Sequence, residues 1–198
     1  MTDRPGGIAR EDITLGILAG GRATRLGGLD KAWLERGGIA QVVRLARRFG
    51  AETAAVLVSA NSDLPRYALA GIEAVPDRVQ DAGPMEKLDA LAAACRTPWL
   101  LTMPVDLVDA NDCLLRTLVS DATANGARAQ DDSGVQPLVA LWRVDALREA
   151  VTAALRDGAL AVQALQRRLD MAVVRFAGVR FGNLNTPDDL RAAGIDTH

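Results

Sequence analysis

The sequence predicts an α/β fold, a three-layer α/β/α sandwich in which a mostly parallel sheet lies between helices. Short apolar, β-favouring runs alternate along the chain with segments whose apolar residues recur at helical spacing. The second half is less regular, which favours an antiparallel strand or two at one edge of the sheet. Because the 198 residues contain no repeat, linker or low-complexity stretch, we expect one domain over residues 1–198, with residues 1–11 flexible.

The elements follow from local patterns. Apolar runs predict strands at 13–18, 53–59, 71–75, 99–103, 127–130, 136–142 and 172–176. Helical spacing predicts helices at 41–49, 84–95, 114–119, 144–155, 161–169 and at the end of the chain through Leu190. Pro84 and Pro187 suit first helical positions, Thr186 suits an N-cap, and Asp109 is expected to cap the helix at 114–119 with Asp112 in its first turn.

Composition excludes several classes of protein. A net charge of -2 argues against a nucleic-acid partner, and no apolar run reaches the ~18 residues of a membrane span. The first eleven residues are polar rather than a signal peptide, and Cys95 and Cys113 form no metal or disulfide motif, so we expect a cytoplasmic protein. The one histidine is His198 at the chain end, which makes histidine-based catalysis improbable.

The loop after the first strand is suited to phosphate binding. Residues 18–31, LAGGRATRLGGLDK, contain four glycines and three cations, and ligands bind at the carboxyl ends of strands in open α/β sheets. Glycines let backbone N–H groups approach phosphate oxygens, while Arg22, Arg25 and Lys31 offer charged donors. The loop matches neither the Walker A nor the GxGxxG pattern, and the alternative is an ordinary solvated loop.

Four segments of the chain resemble the molybdenum cofactor guanylyltransferase family. LAGGRATRLGGLDKA at 18–32 is similar to the family's LAGGxSxRMGxDKA, and PVD at 104–106 to its PCD. QPLVAL at 136–141 resembles xPLxAL, and NLNTPDDL at 183–190 resembles NxNTPEDL. The resemblance extends over about residues 13–190.

The resemblance implies a Rossmann-like nucleotidyltransferase fold of the nucleotide-diphospho-sugar transferase type. It implies Mg²⁺-dependent transfer of GMP from GTP to molybdopterin with release of pyrophosphate. Transient contacts with cofactor-handling proteins are part of the same expectation. The residues that it implies for nucleotide binding are Leu18, Ala19, Gly20, Gly21, Arg25, Lys31, Asp77 and Asp106. Arg25, Lys31 and Asp106 would carry catalysis, and Asp106 and Asn185 would hold the metal.

Each of the polar candidates also has a structural alternative. Asp106 ends an apolar strand, where a magnesium ligand is expected, but a turn aspartate is possible there too. Asp77 follows a proline at a strand end and could be an ordinary turn residue. Asn185 either completes the metal site or belongs to the start of the last helix. The cysteines, Trp99, Trp142, Arg167 and Arg168 are given no functional role.

The sequence departs from the family in three places. GPMEKL at 83–88 occupies the place of the family's GPLAGI, and Val105 replaces the family's cysteine. The segment 59–61 replaces an asparagine that often contacts the nucleotide in the family. Glu86 and Lys87 could read a guanine edge, or Glu86 could simply stabilise a helix start. The alternatives are therefore transfer from CTP, another phosphorylated acceptor, or a non-catalytic nucleotide-binding module.

Overall fold

The computed structural model of the chain describes residues 7–20, 29–79 and 83–195. Within these ranges the strands are β1 (Ile13–Leu18), β2 (Glu35–Arg36), β3 (Ile39–Ala40), β4 (Ala55–Ser59), β5 (Glu73–Val75), β6 (Trp99–Pro104), β7 (Leu107–Val108), β8 (Gly126–Asp131), β9 (Gly134–Arg143), β10 (Ala172–Arg175) and β11 (Gly182–Asn183). The helices are α1 (Gln41–Gly50), α2 (Leu64–Leu69), α3 (Pro84–Ala94), α4 (Leu114–Asp121), α5 (Val144–Arg156), α6 (Val162–Arg168) and α7 (Pro187–Ala192). Short 3-10 helices cover Arg10–Asp12 and Lys31–Trp33.

Seven strands form the central sheet in the order β10-β8-β9-β6-β1-β4-β5. The pairs β6-β1, β1-β4, β4-β5 and β10-β8 are parallel, whereas β9 runs antiparallel to both of its neighbours. The mostly parallel sheet is thus confirmed. Its antiparallel strand lies third from one end rather than outermost, because β8 and β10 extend the sheet beyond it.

Helices cover both faces of this sheet. Alternate residues of the strands point to opposite faces, so Leu101 packs into one apolar layer and Leu100 into the other. Helices α1 and α4 contribute to the first layer, and α3, α5 and α6 to the second. The α/β/α sandwich is therefore confirmed. No helix in the described part of the chain combines the length and the apolar character needed to cross a bilayer.

A glycine in β1 allows α3 to pack closely on the sheet. A Cβ added to Gly16 would lie 2.9 Å from a methyl of Leu100 and 3.1 Å from a methyl of Leu91 in α3. A side chain at this position would force those leucine methyl groups to shift, which a closely packed interior resists. Since α3 begins beside the carboxyl end of β1, this packing also sets the position of the first turn of α3.

Most element predictions are confirmed, with one clear error in a helix cap. The helix α4 begins after Cys113, which provides no side-chain cap, and Asp109 has a left-handed φ of 59° several residues earlier. Asp112 lies outside the helix and pairs with Arg48 at 2.9 Å. By contrast, Thr186 caps α7 as predicted, and Pro84 and Pro187 start their helices. Trp99 and Trp142 are buried in the core, as predicted.

Candidate active site

Four parallel strands end in register at one edge of the sheet. Leu18 at the end of β1 is paired with Pro104 of β6 on one side and Ser59 of β4 on the other, and Ser59 is paired with Val75 of β5. The segments that follow these four residues therefore emerge side by side. This is the edge where open α/β sheets bind ligands.

Lys31 joins two oxygen donors at this edge. Its ammonium donates to Asp106 Oδ2 at 2.8 Å and to Asn185 Oδ1 at 2.6 Å. The side chains of Lys31 and Asp106 are 18% and 19% exposed, so the ion pair is largely shielded but can be reached from solvent. Three residues that the sequence predicts for the site thus lie together in space.

The backbone of Lys31 is held by a short 3-10 helix. Asp30 caps this helix by accepting a hydrogen bond from the N–H of Ala32 at 2.9 Å, and Ala32 is fully buried. Trp33 stacks against Tyr67 of α2 with ring centroids 4.8 Å apart, and the Arg66 guanidinium lies 4.1 Å above the Trp33 ring. Burial raises the pKa of the Tyr67 hydroxyl well above its usual range, which keeps this packing free of a titrating charge.

Asn185 is brought to Asp106 by a small strand pair. β11 pairs with β7 in antiparallel register, Asn183 opposite Leu107, and the N–H of Leu184 donates to the carbonyl of Asp106 at 3.2 Å. The start of α7 then fixes the backbone of Asn185, whose N–H donates to Asp189 at 3.1 Å. Hydrogen bonds from Thr186 and Asn185 lower the pKa of Asp189, which stabilises its carboxylate as the cap.

The side chain of Asn185 is not needed for that cap. The Asp189 N–H donates to the Thr186 hydroxyl at 3.2 Å, and the Thr186 N–H donates to the Asp189 carboxylate at 2.8 Å. Asn185 contributes only its backbone N–H to this cap. Its amide oxygen is left to bind a cation, here the Lys31 ammonium. The geometry thus separates the two roles that the sequence left open for this segment.

Asp106 and Asn185 fit a hard divalent cation. Both oxygens already converge on one positive charge, and carboxylate and amide oxygens are ligands that such ions prefer. No group of three or more His, Cys, Asp or Glu side chains suited to a metal occurs within residues 7–20, 29–79 and 83–195. Two protein ligands are typical of Mg²⁺ bound together with a phosphorylated substrate, because water and phosphate oxygens complete the shell.

A second polar cluster lies beyond β1, at the ends of β4 and β5. The carboxylate of Asp77 is buried and accepts hydrogen bonds from the Ser59 hydroxyl, from Asn61 Nδ2 at 2.9 Å and from the Lys87 ammonium at 2.8 Å. Asn61 also accepts from the Asp77 N–H at 2.8 Å. The predicted contact of Asp77 with a nucleotide stays a prediction, and the structure adds that the chain's own donors occupy much of this carboxylate.

The three residues that end β1 differ in what they expose. Leu18 and Ala19 are buried, and sheet hydrogen bonds use the Leu18 carbonyl and the Ala19 N–H, each at 3.0 Å. Gly20 is exposed and has a φ of +80°, which glycine adopts without strain. Gly20 is therefore the residue of this segment that a ligand reaches most easily. Gly21 and Arg25 lie outside the described residues, as does His198.

Sequence reasoning did not predict the ion pair between Lys87 and Asp77. Lys87 was singled out as a departure from the family pattern that could read a guanine edge together with Glu86, and not as a partner of Asp77. The two residues are ten positions apart, on different elements, and no periodic pattern connects them. Asn61 was likewise noticed only as part of a changed segment. The available signal was the presence of complementary charges just after β5 and near the start of α3.

An open cavity of about 460 Å³ borders the β6-β9 side of the same edge. It is mainly apolar and is lined by Pro84, Pro137, Leu138, Arg167 and residues 160–164. Pro137 and Leu138 belong to the first half of β9, which starts at this edge because β9 runs against β6. Arg167, which was assigned no role from its sequence context, supplies a cation at the wall of the cavity.

Comparison with known proteins identifies relatives across nearly the whole chain. Residues 15–172 match the model of the MobA-like NTP transferase domain. The chain is 33% identical over 195 residues to a molybdenum cofactor guanylyltransferase of Cupriavidus taiwanensis, covering 93% of this chain and 98% of the relative. A protein of the same name from Ralstonia nicotianae is 34% identical over 199 residues, covering 93% and 97% of the two chains.

Solved structures share the fold at lower identity. The molybdopterin-guanine dinucleotide biosynthesis protein A of Archaeoglobus fulgidus superposes with a TM-score of 0.67 at 17% identity, covering 91% of this chain and 96% of that one. The 2-C-methyl-D-erythritol 4-phosphate cytidylyltransferase of Thermus thermophilus gives a TM-score of 0.67 at 20% identity, covering 96% and 98%. These structures support the fold, while the family match and the sequence relatives confirm the resemblance of the motifs. The chain therefore belongs to the MobA-like NTP transferase family and is a nucleotidyltransferase.

Proposed function

We propose that this protein transfers GMP from GTP to the phosphate of molybdopterin and releases pyrophosphate. The observation that carries the proposal is the convergence of Lys31, Asp106 and Asn185 at the carboxyl ends of the strands. This arrangement supplies a cation for phosphate oxygens and two oxygens for a metal. The curated relatives named molybdenum cofactor guanylyltransferase support the choice of donor and acceptor.

Lys31 and Arg25 neutralise the triphosphate in this proposal. Charge-assisted bonds from ammonium and guanidinium groups to phosphate are among the stronger polar contacts in proteins. Lys31 lies on a rigid 3-10 helix, so its ammonium is already placed near the edge before the nucleotide arrives. When GTP binds, Lys31 exchanges its contacts with Asp106 and Asn185 for phosphate oxygens, and the two protein oxygens become available as ligands.

Asp106 and Asn185 hold the metal ion in this proposal. Enzymes of this family generally use a divalent metal, and we propose that the ion is Mg²⁺. Bound there, Mg²⁺ would supply charge neutralisation at the α-phosphate. Asp106 lies in the turn between β6 and β7, and Asn185 lies just before the capped start of α7, so neighbouring secondary structure positions the backbone of both ligands.

The acceptor does not require a general base. A phosphate monoester has a second pKa near ~6, so at neutral pH it is largely ionised and can attack the α-phosphorus in line. The cavity beside β9 supports binding of an acceptor that combines an apolar ring system with an anionic group, since its walls are mainly apolar and include Arg167. The two cysteines are free, which agrees with the cytoplasmic location that we propose.

The substitution Asp106→Asn tests this proposal. It removes the charged metal ligand from an edge position, so we expect pyrophosphate release with GTP and molybdopterin to fall by at least about 100-fold while the melting temperature changes little. Asp109→Asn is the matched control, because Asp109 is exposed just after β7 and asparagine tolerates its φ of 59°. Equal turnover of Asp106→Asn and the parent at saturating Mg²⁺ would show that the metal site is elsewhere.

A further inference from the structure

The ammonium of Lys87 is largely buried at the edge of the sheet where the parallel strands end. It donates to Asp77 Oδ2 at 2.8 Å, and the side chains of Lys87 and Asp77 are only 13% and 2% exposed. A Cβ built on Gly20 would stand 3.4 Å from the Lys87 nitrogen. A cation therefore borders the most accessible residue at the end of β1.

Asp77 anchors this cation and has little capacity left for a ligand. One of its oxygens accepts from Ser59, and the other accepts from both Asn61 and Lys87. An ammonium group has three N–H donors, and the bond to Asp77 uses one of them. The group at this position that can serve a ligand is therefore the lysine, while the aspartate fixes its position.

The position of Lys87 along the edge corresponds to the base end of a bound nucleotide. Lys31 and Asp106 lie on the β6 side of β1, where the proposed function places the phosphates and the metal. Asp77 and Lys87 lie on the other side of β1, at the ends of β4 and β5. Strands are about 4.8 Å apart, so β5 and β6 are separated by three such spacings, or about 14 Å. A nucleotide whose phosphates lie at Lys31 and which crosses the end of β1 places its base near Lys87.

The geometry points to Lys87 as a specificity-determining residue that donates to a carbonyl oxygen of the base, with Asp77 as its positioning residue. This inference rests on the proposed function. Guanine presents the O6 acceptor where adenine presents the N6 amino donor. An ammonium at this position therefore favours guanine, because with adenine the ammonium and the N6 amino group would both be donors facing each other. Glu86 needs no such role, because it lies in the first turn of α3, where an acidic residue stabilises the helix.

Nucleotide analogues together with Lys87→Met test the contact directly. Binding of GTP, ITP and 2-aminopurine riboside triphosphate is measured by equilibrium titration of the full chain with Mg²⁺. The 2-aminopurine base lacks O6, whereas inosine keeps O6 and lacks the 2-amino group. We expect the parent to prefer GTP over the 2-aminopurine nucleotide, and Lys87→Met to reduce that ratio by about 10- to 100-fold. The ratio of GTP to ITP should not change. The N1 atom of 2-aminopurine also differs from that of guanine, because it carries no hydrogen. This difference affects the parent and Lys87→Met alike, so it cancels when their binding ratios are compared.

Three further variants separate base recognition from folding and from general charge. Arg78→Met removes an equal charge from the ion pair between Arg78 and Asp89 of α3, and it should leave both ratios unchanged. Asp77→Asn should lower the preference for GTP over the 2-aminopurine nucleotide, which a purely structural aspartate would not do. Because Lys87→Met leaves a buried carboxylate without its cation, the double variant Asp77→Asn/Lys87→Met is measured in parallel, with melting temperatures for all proteins.

Two results with Lys87→Met would overturn the inference. An unchanged ratio of GTP to the 2-aminopurine nucleotide in Lys87→Met would make the ion pair structural. Tighter binding of every nucleotide to that variant would show that Lys87 fills the base site instead of recognising a base. If the parent shows the base preference but transfers nothing to molybdopterin, the proposed function fails and the assignment of Lys87 stands. If the parent binds no nucleotide, both fail.

Discussion

Lys31 belongs to a helix of three residues, yet its ammonium contacts oxygens that are 75 and 154 positions away along the chain. A cation held between two anionic or polar oxygens keeps them close together in the absence of substrate. Without it, Asp106 would face the Asn185 oxygen with no positive charge between them. In the proposed function, the same side chain holds the two oxygens together before the nucleotide binds and contacts phosphate oxygens afterwards.

Asp131 shows a different use of a buried carboxylate. It is 2% exposed and accepts hydrogen bonds from Ser133 N–H at 2.9 Å, Gln136 Nε2 at 3.0 Å and Phe181 N–H at 2.7 Å. Burial alone would raise its pKa, but bonds from Ser133, Gln136 and Phe181 outweigh that effect and lower the pKa to about 2. This carboxylate ties the turn between β8 and β9 to the segment that leads into β11.

We therefore expect Asp131→Asn to destabilise the protein in a pH-dependent way. The folded pKa of about 2 lies below the unfolded value of 3.8, so the contribution of the carboxylate is complete above about pH 4 and is lost as the pH falls towards 2. At pH 7 the free energy of unfolding should fall by about 2 kcal/mol. Urea denaturation of parent and variant at several pH values measures the difference. The neighbouring Asp132→Asn serves as the control, and a gap that persists unchanged at pH 2 would contradict the expectation.

At the scale of elements, the start of α7 combines a helix cap with the side chain that we propose as a metal ligand. Thr186 and Asp189 form the cap, and the preceding Asn185 directs its amide oxygen to Lys31. The cap fixes the backbone from which Asn185 projects. In the proposed function, residues 183–190 therefore form a unit in which Asn185 contacts the metal and its neighbours position it.

Two alanine substitutions should separate these roles. Thr186→Ala removes the cap and should lower the free energy of unfolding by about 1 kcal/mol. Asn185→Ala keeps the cap and should leave stability nearly unchanged, while the Mg²⁺ concentration for half-maximal activity rises by about 10-fold. Chemical denaturation and a Mg²⁺ titration of pyrophosphate release give the two readouts. Loss of stability in Asn185→Ala with an unchanged Mg²⁺ dependence would argue for a purely structural asparagine.

The long elements could be predicted from the sequence because their patterns are strong. β1, β9 and α5 match the predicted positions within one or two residues, and the apolar spacing that predicts them also forms their buried faces. The six-residue helix α2 and the two-residue strands β2 and β3 were not predicted, since such short segments carry little periodicity. They depend on tertiary contacts between residues distant in sequence, such as the packing of Tyr67 of α2 on Trp33.

The candidate site was predictable to the extent that its residues follow strands. Lys31, Asp106 and Asn185 were predicted from motifs and strand ends, and the structure brings them together. Asp109 was misassigned because a polar residue before a helix is a frequent cap, whereas its left-handed backbone places it in a turn. The pairing of Lys87 with Asp77 depends on the relative position of α3 and β5, which a single sequence does not specify.

At the scale of the whole molecule, the sheet arranges the two sides of the edge differently. On one side of β6 lie three parallel strands, whose ends carry the polar groups that we propose bind the nucleotide. On the other side β9 begins at the edge, and its first half borders the apolar cavity. Asp106 follows β6, the strand between these regions. A donor bound on one side and an acceptor bound on the other would thus meet next to Asp106.

The pH dependence of the reaction should reflect the acceptor rather than a histidine of the protein. The sequence has one histidine, His198, and the proposed reaction needs no general base. We expect kcat to rise with pH through about 6, as the phosphate monoester ionises, and then to level off. Removing residues 196–198 should leave the profile unchanged. Measurement of pyrophosphate release from pH 5 to 9 tests this, and a sharp loss of rate in the shortened protein would contradict the base-free reaction.

The separation of 154 residues along the chain between Lys31 and Asn185 has a consequence for folding during synthesis on the ribosome. At about 5–20 residues per second, Asn185 is synthesised about 8 to 30 s after Lys31. During that interval β1, β4, β5 and β6 become available for pairing. Lys31 can then contact Asp106 but not the amide oxygen of Asn185, which has not yet been synthesised. Activity should therefore appear in a nascent chain only after the last helix emerges, well after the strands that bear the other groups have been translated.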